Sequence, residues 1–203
     1  MSNTIRAFIA IELPETIKSS IETIQARLKS LELPLRWVRV ENIHLTMKFI
    51  GDIEEIEIES IESALRDSVK MKAPLTLSAK GVGVFPGIRR PRVLWVGIHD
   101  HETGLAGLQK SIENQLHRIG YSKEGRPFKG HLTVGRAKGY VDERKLKEAL
   151  DSFLAFESSP FTVNEFFMFR SVLKPGGPEY TKLIRIPLTR ENPSAAGKPV
   201  GTR

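Results

Sequence analysis

Apolar positions along this chain recur in two rhythms, and the rhythms alternate. Ile5 to Glu12 is almost continuously apolar and predicts a buried strand. Pro14 suits the first position of a helix, where its missing N–H costs nothing. Ile17, Ile21, Ile24, Leu28 and Leu31 follow at helical gaps and predict one inward stripe. Pro34 closes that segment, and Arg36 to Val40 predicts a short strand. From Ile43 the period becomes two. Ile43, Leu45, Met47 and Phe49 fall on one face, and His44, Thr46, Lys48 and Ile50 on the other. Gly51-Asp52 ends this strand. A helix is predicted from Glu54 to Val69, with Ile58, Ile61, Leu65 and Val69 inward. A strand from Leu75 to Phe85 follows, interrupted by Gly81 and Gly83.

The same order then returns. Arg92 to Ile98 predicts a strand, and Leu105, Leu108, Ile112, Leu116 and Ile119 mark a helix. A loop, Gly120 to Gly130, leads to a strand opening at His131. A helix from Asp142 to Phe153 follows, with Leu146, Ala149, Leu150 and Phe153 inward. Strands are predicted at Phe161 to Phe169 and Tyr180 to Leu188. Arg6 lies 38 residues before His44, and Arg92 lies 39 before His131. Pro74-Leu75-Thr76-Leu77 is echoed by Pro160-Phe161-Thr162-Val163. His44-Leu45-Thr46-Met47 is echoed by His131-Leu132-Thr133-Val134. Matching order, spacing and a shared tetrapeptide make each half a β-α-β-β-α-β unit. The expectation is an α+β, bilobal fold in which two pseudo-symmetric halves, with mostly antiparallel sheets, flank a central cleft.

The 203 residues suit one bilobal domain over 1–190, and the polar, Pro- and Gly-rich 191–203 predicts a flexible tail. At 40% hydrophobic the chain can build a core, yet no apolar run approaches the ~18 residues of a membrane span. No h-region follows the first residues. There is no cysteine, which removes disulfides, thiolate nucleophiles and thiolate metal sites. A cytoplasmic monomer is expected. The net charge of +7 favours a polyanionic partner, nucleic acid first.

His44 and Thr46 share one strand face, and so do His131 and Thr133. Brought together, they set two imidazoles and two hydroxyls around one small anion. One histidine can act as base and the other as acid in an in-line displacement at phosphorus. The threonine hydroxyls can hold the non-bridging oxygens. No metal or other cofactor is called for, and no metal-binding helical motif is present. A single buried histidine is more often structural, and threonine is common in strands. It is the duplication that separates these residues from that background. His99, His101 and His117 lack a partner pattern and read as solvated. Lys48 and Lys129 share the faces of His44 and His131 and are candidate anion ligands, with Arg126 beside them. Arg136 falls on the opposite face by strict alternation, so a role for it requires a bulge. Phe85 and Trp95 read as core. Arg89 and Arg90 form an exposed basic loop.

Two stretches carry a family resemblance. Arg36-Trp37-Val38 leads to Asn42-Ile43-His44-Leu45-Thr46-Met47-Lys48-Phe49-Ile50-Gly51. The second is Arg126-Pro127-Phe128-Lys129-Gly130-His131-Leu132-Thr133-Val134-Gly135-Arg136. With Phe85, Arg90 to Trp95 and Gly177-Pro178-Glu179-Tyr180, they resemble the RNA 2′,3′-cyclic phosphodiesterases. These are also called 2′-5′ RNA ligases or LigT-like proteins, of the two-histidine phosphoesterase superfamily. The resemblance runs from about Ile5 to Leu188. Gly130 stands where many relatives have proline. The resemblance implies metal-independent hydrolysis of 2′,3′-cyclic phosphate ends, on RNA (tRNA fragments included) or a nucleotide, to 2′-phosphomonoesters. It implies His44 as proton donor and His131 as proton acceptor, a polarity that the symmetric motifs leave open. Alternatives are 2′-5′ ligation, a small-nucleotide substrate, or a non-catalytic RNA- or nucleotide-binding module.

Overall fold

The apolar stripes become the buried faces of four helices packed on one sheet. In the computed structural model, which describes residues 4–189, the elements in order are β1 (Thr4–Ile11), α1 (Glu15–Lys29), β2 (Leu35–Trp37), β3 (Leu45–Glu54), α2 (Ile58–Ser68), β4 (Leu75–Phe85), β5 (Val93–Asp100), α3 (Gly104–Arg118), β6 (His131–Ala137), α4 (Glu143–Asp151), β7 (Phe161–Val163), β8 (Glu165–Lys174) and β9 (Gly177–Pro187). The expected tail, 191–203, lies outside the described residues. Ile17, Ile21, Ile24 and Leu28 are buried on α1, and Leu105, Leu108, Ile112 and Leu116 on α3. Leu31 and Ile119 were expected in these stripes. Both lie past the helix ends and are exposed. Among the described residues, no helix is long and apolar enough to cross a membrane.

The strands lie in the order β7-β4-β5-β6-β3-β1-β8-β9, with β2 added to β6, and every pairing between them is antiparallel. The sequence repeat emerges as an approximate two-fold. Leu45 pairs with its equivalent Leu132, and Thr76 pairs with its equivalent Thr162. In an antiparallel ladder, equivalent residues face each other only across a local two-fold. The repeats are not the spatial halves, however. The last strand of the first repeat, β4, pairs with β5 of the second, and β8 of the second pairs with β1 of the first. Each half of the sheet therefore contains strands from both repeats.

The stretch expected to form one strand from Phe161 to Phe169 is broken at Asn164. Phe161–Val163 pairs with β4, near one end of the sheet, and Glu165 onward pairs with β9, at the other. One residue cannot cross a flat sheet of this width, so the sheet curls until its ends approach.

The main core lies between helices and sheet. A second, aromatic cluster of Phe8, Ala10, Phe167 and Phe169 sits on the opposite face of β1 and β8, with Tyr180 against it. β1 is thus buried on both faces, which explains its unbroken apolar run.

Candidate active site

The Leu45–Leu132 pair is where the two sheet halves meet, and both side chains are fully buried in the core. Because β3 and β6 run antiparallel there, their register carries His44 toward Thr133 and Thr46 toward His131. All four side chains leave the face opposite the leucines. Diagonal neighbours in such a ladder have Cβ atoms roughly 7–8 Å apart, the relation of His44 to His131. A phosphate fits between groups so spaced. Of the quartet expected from the duplicated tetrapeptide, His44, Thr46 and Thr133 line one cleft, whereas His131 is not among its lining residues and packs against Phe85.

The two imidazoles are held alike. His44 Nδ1 donates to the Asn42 carbonyl at 2.9 Å, and His131 Nδ1 donates to the Lys129 carbonyl at 2.7 Å. A carbonyl only accepts, so each Nδ1 carries the hydrogen and each Nε2 is left for proton transfer. Their surroundings differ. His44 stacks on Phe8 at 4.7 Å and meets the Tyr180 ring edge-on at 5.3 Å. Burial among these rings lowers its pKa from 6.5 to about 4, partly opposed by the Asn42 hydrogen bond. That direction favours the neutral imidazole at neutral pH. Burial likewise raises the Tyr180 hydroxyl above its ordinary pKa, partly offset by the charge of Arg136.

His131 meets Phe85 edge-on at 5.1 Å, and Phe85 packs on Trp95 at 5.1 Å. Phe85 and Trp95 were expected in the core. They instead form a half-buried wall beside His131. Gly83 permits this, since a Cβ there would lie 2.3 Å from the Trp95 ring.

Two β-bulges decide which cations reach the cleft. On β3, Ala10 pairs with Thr46 and Ile9 with Lys48, so Met47 is the extra residue. On β6, Trp95 pairs with Thr133 and Leu94 with Gly135, so Val134 is the extra residue. The bulges fall at equivalent places and invert the alternation beyond them. Lys48 was expected on the His44 face. It turns into the core instead, 3% exposed, where Nζ donates to Glu113 Oε1 at 2.9 Å and to the Ser122 carbonyl at 2.8 Å. Phe49, expected inside, is 63% exposed and lines the cleft. The bulge that Arg136 needed is present, and Arg136 lines the cleft with His44, Thr46 and Thr133. Lys129 lies beside His131, its Nζ 5.7 Å from the Phe85 ring centre, and Arg126 is exposed on the preceding loop. Neither lines the cleft.

The cleft has a volume of about 570 Å³, enough for a nucleotide. Arg6, Arg36, Arg39 and Lys174 join Arg136 in its walls. Arg36 and Arg136 are direct cross-strand partners. Like charges so placed repel, and an anion between them relieves the repulsion. Asn42 Nδ2 donates to the Pro178 carbonyl at 2.9 Å, tying the β8–β9 turn over the His44 side. Arg6, Arg39, Phe8 and Phe49 were not singled out from the sequence as site residues. Arg36, Asn42 and Tyr180 stood in motif stretches, with no role attached. Among the described residues, no three histidine or carboxylate side chains gather in this cleft.

The model of the LigT-like phosphoesterases matches the chain twice, over residues 11–95 and 96–180, one match to each repeat. The chain belongs to that family. The RNA 2′,3′-cyclic phosphodiesterase of Methanothermobacter thermautotrophicus is 37% identical to it, over 88% of this chain and 96% of that one. The enzyme of the same name from Aquifex aeolicus is 32% identical, over 87% and 94%. Crystal structures of Escherichia coli LigT, in the apo form and complexed with 3′-AMP, superpose with TM-scores of 0.72 at 29% and 28% identity. They cover 93% and 92% of this chain and 99% of theirs. The chain is accordingly a phosphoesterase of this family.

Proposed function

We propose that this protein hydrolyses 2′,3′-cyclic phosphate ends of RNA to 2′-phosphomonoesters, acting as a monomer whose single chain supplies the whole site. The observation that carries this is the antiparallel Leu45–Leu132 pairing, which sets the two His-x-Thr segments side by side, each with its Nδ1 bound to a carbonyl and its Nε2 left over. The arginine pair beside it supports an anionic substrate, and the names of the relatives support RNA 2′,3′-cyclic phosphate.

His131 Nε2 takes a proton from water as the water oxygen attacks phosphorus in line with the bond to O3′. Thr46 and Thr133 donate to the non-bridging oxygens, where charge accumulates, and Arg136 offsets that charge. The P–O3′ bond breaks, and His44 Nε2–H gives its proton to O3′. The products are a 3′-hydroxyl and a 2′-phosphomonoester. His131 ends protonated and His44 neutral, and exchange with solvent resets the pair. His44 must hold a proton for this step. An anionic phosphate beside its Nε2 favours the imidazolium and raises its pKa. Arg126 and Lys129, on the approach to His131, extend the positive surface toward the rest of an RNA strand.

The test is an RNA ending in 2′,3′-cyclic phosphate, incubated with the protein in EDTA, with the product identified. A 2′-phosphate is expected. Absence of hydrolysis, or a requirement for a divalent ion, would overturn the proposal. His44→Ala and His131→Ala should each lower kcat by roughly 10²–10⁴-fold.

A further inference from the structure

His99 and His101 were read from the sequence as solvated. In the fold they meet a carboxylate. His99 stands near the end of β5, and His101 follows it by two residues, in the turn toward α3. Glu157 comes from the loop before β7, which runs along β4: Ser158 N donates to the Ala79 carbonyl at 2.8 Å, and Gly81 N to the Phe156 carbonyl at 2.9 Å. One ligand atom from each of His99, His101 and Glu157 lies within 4.8 Å of the other two. The imidazole rings are 4.5 Å apart, centre to centre. All three side chains are exposed, so an ion can enter without any rearrangement of the core.

The carboxylate is ready to serve as a ligand. Glu157 Oε1 accepts from Ser78 Oγ at 3.0 Å, and Oε2 pairs with Lys80 Nζ at 2.9 Å. Ser78 also meets His101 Nε2 at 3.1 Å, so one buried hydroxyl organises both groups. The Lys80 pair is exposed and exchangeable, and such pairs contribute little to stability.

We infer that His99, His101 and Glu157 form a surface site for a zinc-class divalent ion, with the remaining coordination positions left to water. Two imidazoles and one carboxylate suit borderline first-row ions, and an oxygen-preferring ion such as Mg²⁺ finds too few oxygens here. Lys80 swings into solvent when the ion takes the Glu157 oxygen. The ion clips the end of β5 to the loop that crosses β4, and it takes no part in the displacement at phosphorus. Neither the site nor its test depends on the function proposed above.

The untagged full chain, stripped with EDTA and dialysed, is titrated with Zn²⁺ by calorimetry, and crystals soaked in Zn²⁺ are examined by anomalous scattering. One ion is expected against all three side chains. His99→Ala and Glu157→Gln should each weaken binding by at least about tenfold, while His117→Ala, at a lone exposed histidine, should leave it unchanged. The melting temperature in EDTA should be the same for all four proteins, and Zn²⁺ should raise it only in the wild type and His117→Ala. Equal Zn²⁺ affinity in wild type, His99→Ala and Glu157→Gln, or an anomalous peak elsewhere and none at this cluster, would overturn the assignment.

Discussion

His44 and His131 make the same Nδ1 hydrogen bond to the carbonyl two residues back, yet they sit in different media. The aromatic wall of Phe8 and Tyr180 desolvates His44 and disfavours its charged form. Its folded pKa, about 4, lies below the unfolded value of 6.5. The unfolded chain therefore takes up this proton first as pH falls. The stability linked to His44 is complete above pH 6.5 and is lost as pH falls toward 4, by on the order of 3 kcal/mol at most. Denaturant unfolding of wild type and His44→Asn across that window should show the steeper loss in wild type; parallel slopes would remove the desolvation argument. A second expectation is that saturating inorganic phosphate moves the His44 titration upward in NMR spectra, and an unmoved titration would count against His44 as the proton donor. The histidines and threonines were legible because they occur twice. The aromatic wall was not, since Phe8 and Tyr180 lie far from His44 in sequence and reach it only through strand pairing.

The elements that set the site are two bulged strands, each gripped by a helix of the other repeat. Gln25 and Glu113 occupy matching places in Ile24-Gln25-Ala26-Arg27-Leu28 and Ile112-Glu113-Asn114-Gln115-Leu116, and both are buried. Gln25 Nε2 donates to the carbonyl of Val134, the bulged residue of β6, at 2.9 Å. Glu113 binds Lys48, next to the bulged residue of β3, and its other oxygen accepts from Glu124 N at 3.1 Å. The Lys48–Glu113 pair thereby joins the strand after His44 to the loop before His131. Lys48→Met leaves a buried carboxylate without its cation and should cost about 3–5 kcal/mol, whereas Lys48→Met with Glu113→Leu should recover much of that loss. Unfolding measurements on both variants test this; if the double variant were no more stable than the single one, the pair would not be the source of the effect. Strand alternation read the faces correctly as far as the bulges and failed beyond them. A bulge adds one residue without changing the apolar–polar pattern before it, so Lys48, Phe49 and Arg136 each changed sides.

At the scale of the molecule, the repeat seen in the sequence and the folding unit are different things. The family model matches 11–95 and 96–180 as two segments, but the strand pairs do not respect that division. β4 hydrogen-bonds to β5 along most of its length, and β8 to β1. The repeat and the α+β class could be read from periodicity, but the β-α-β-β-α-β order expected of each half holds only for the first: the second runs β5-α3-β6-α4-β7-β8-β9, with no strand between α3 and the His131 strand. The exchange of strands could not be read, because both arrangements bury the same alternating faces and differ only in which repeat supplies the neighbour. The exchange has a measurable consequence. Cutting the chain between Arg90 and Pro91, in the loop joining β4 to β5, severs one short connection and leaves every strand intact. Each fragment alone then keeps an apolar sheet edge without its partner, β1 lacking β8 and β5 lacking β4. Neither 1–90 nor 91–203 should unfold cooperatively by itself or show native near-ultraviolet circular dichroism. Mixed in equal amounts, they should recover both signals together with phosphodiesterase activity, because one His-x-Thr strand must come from each fragment. A cooperative transition in either isolated fragment would mean that a repeat folds on its own, and the exchanged β4–β5 and β8–β1 pairings would then not be what holds the two His-x-Thr strands together.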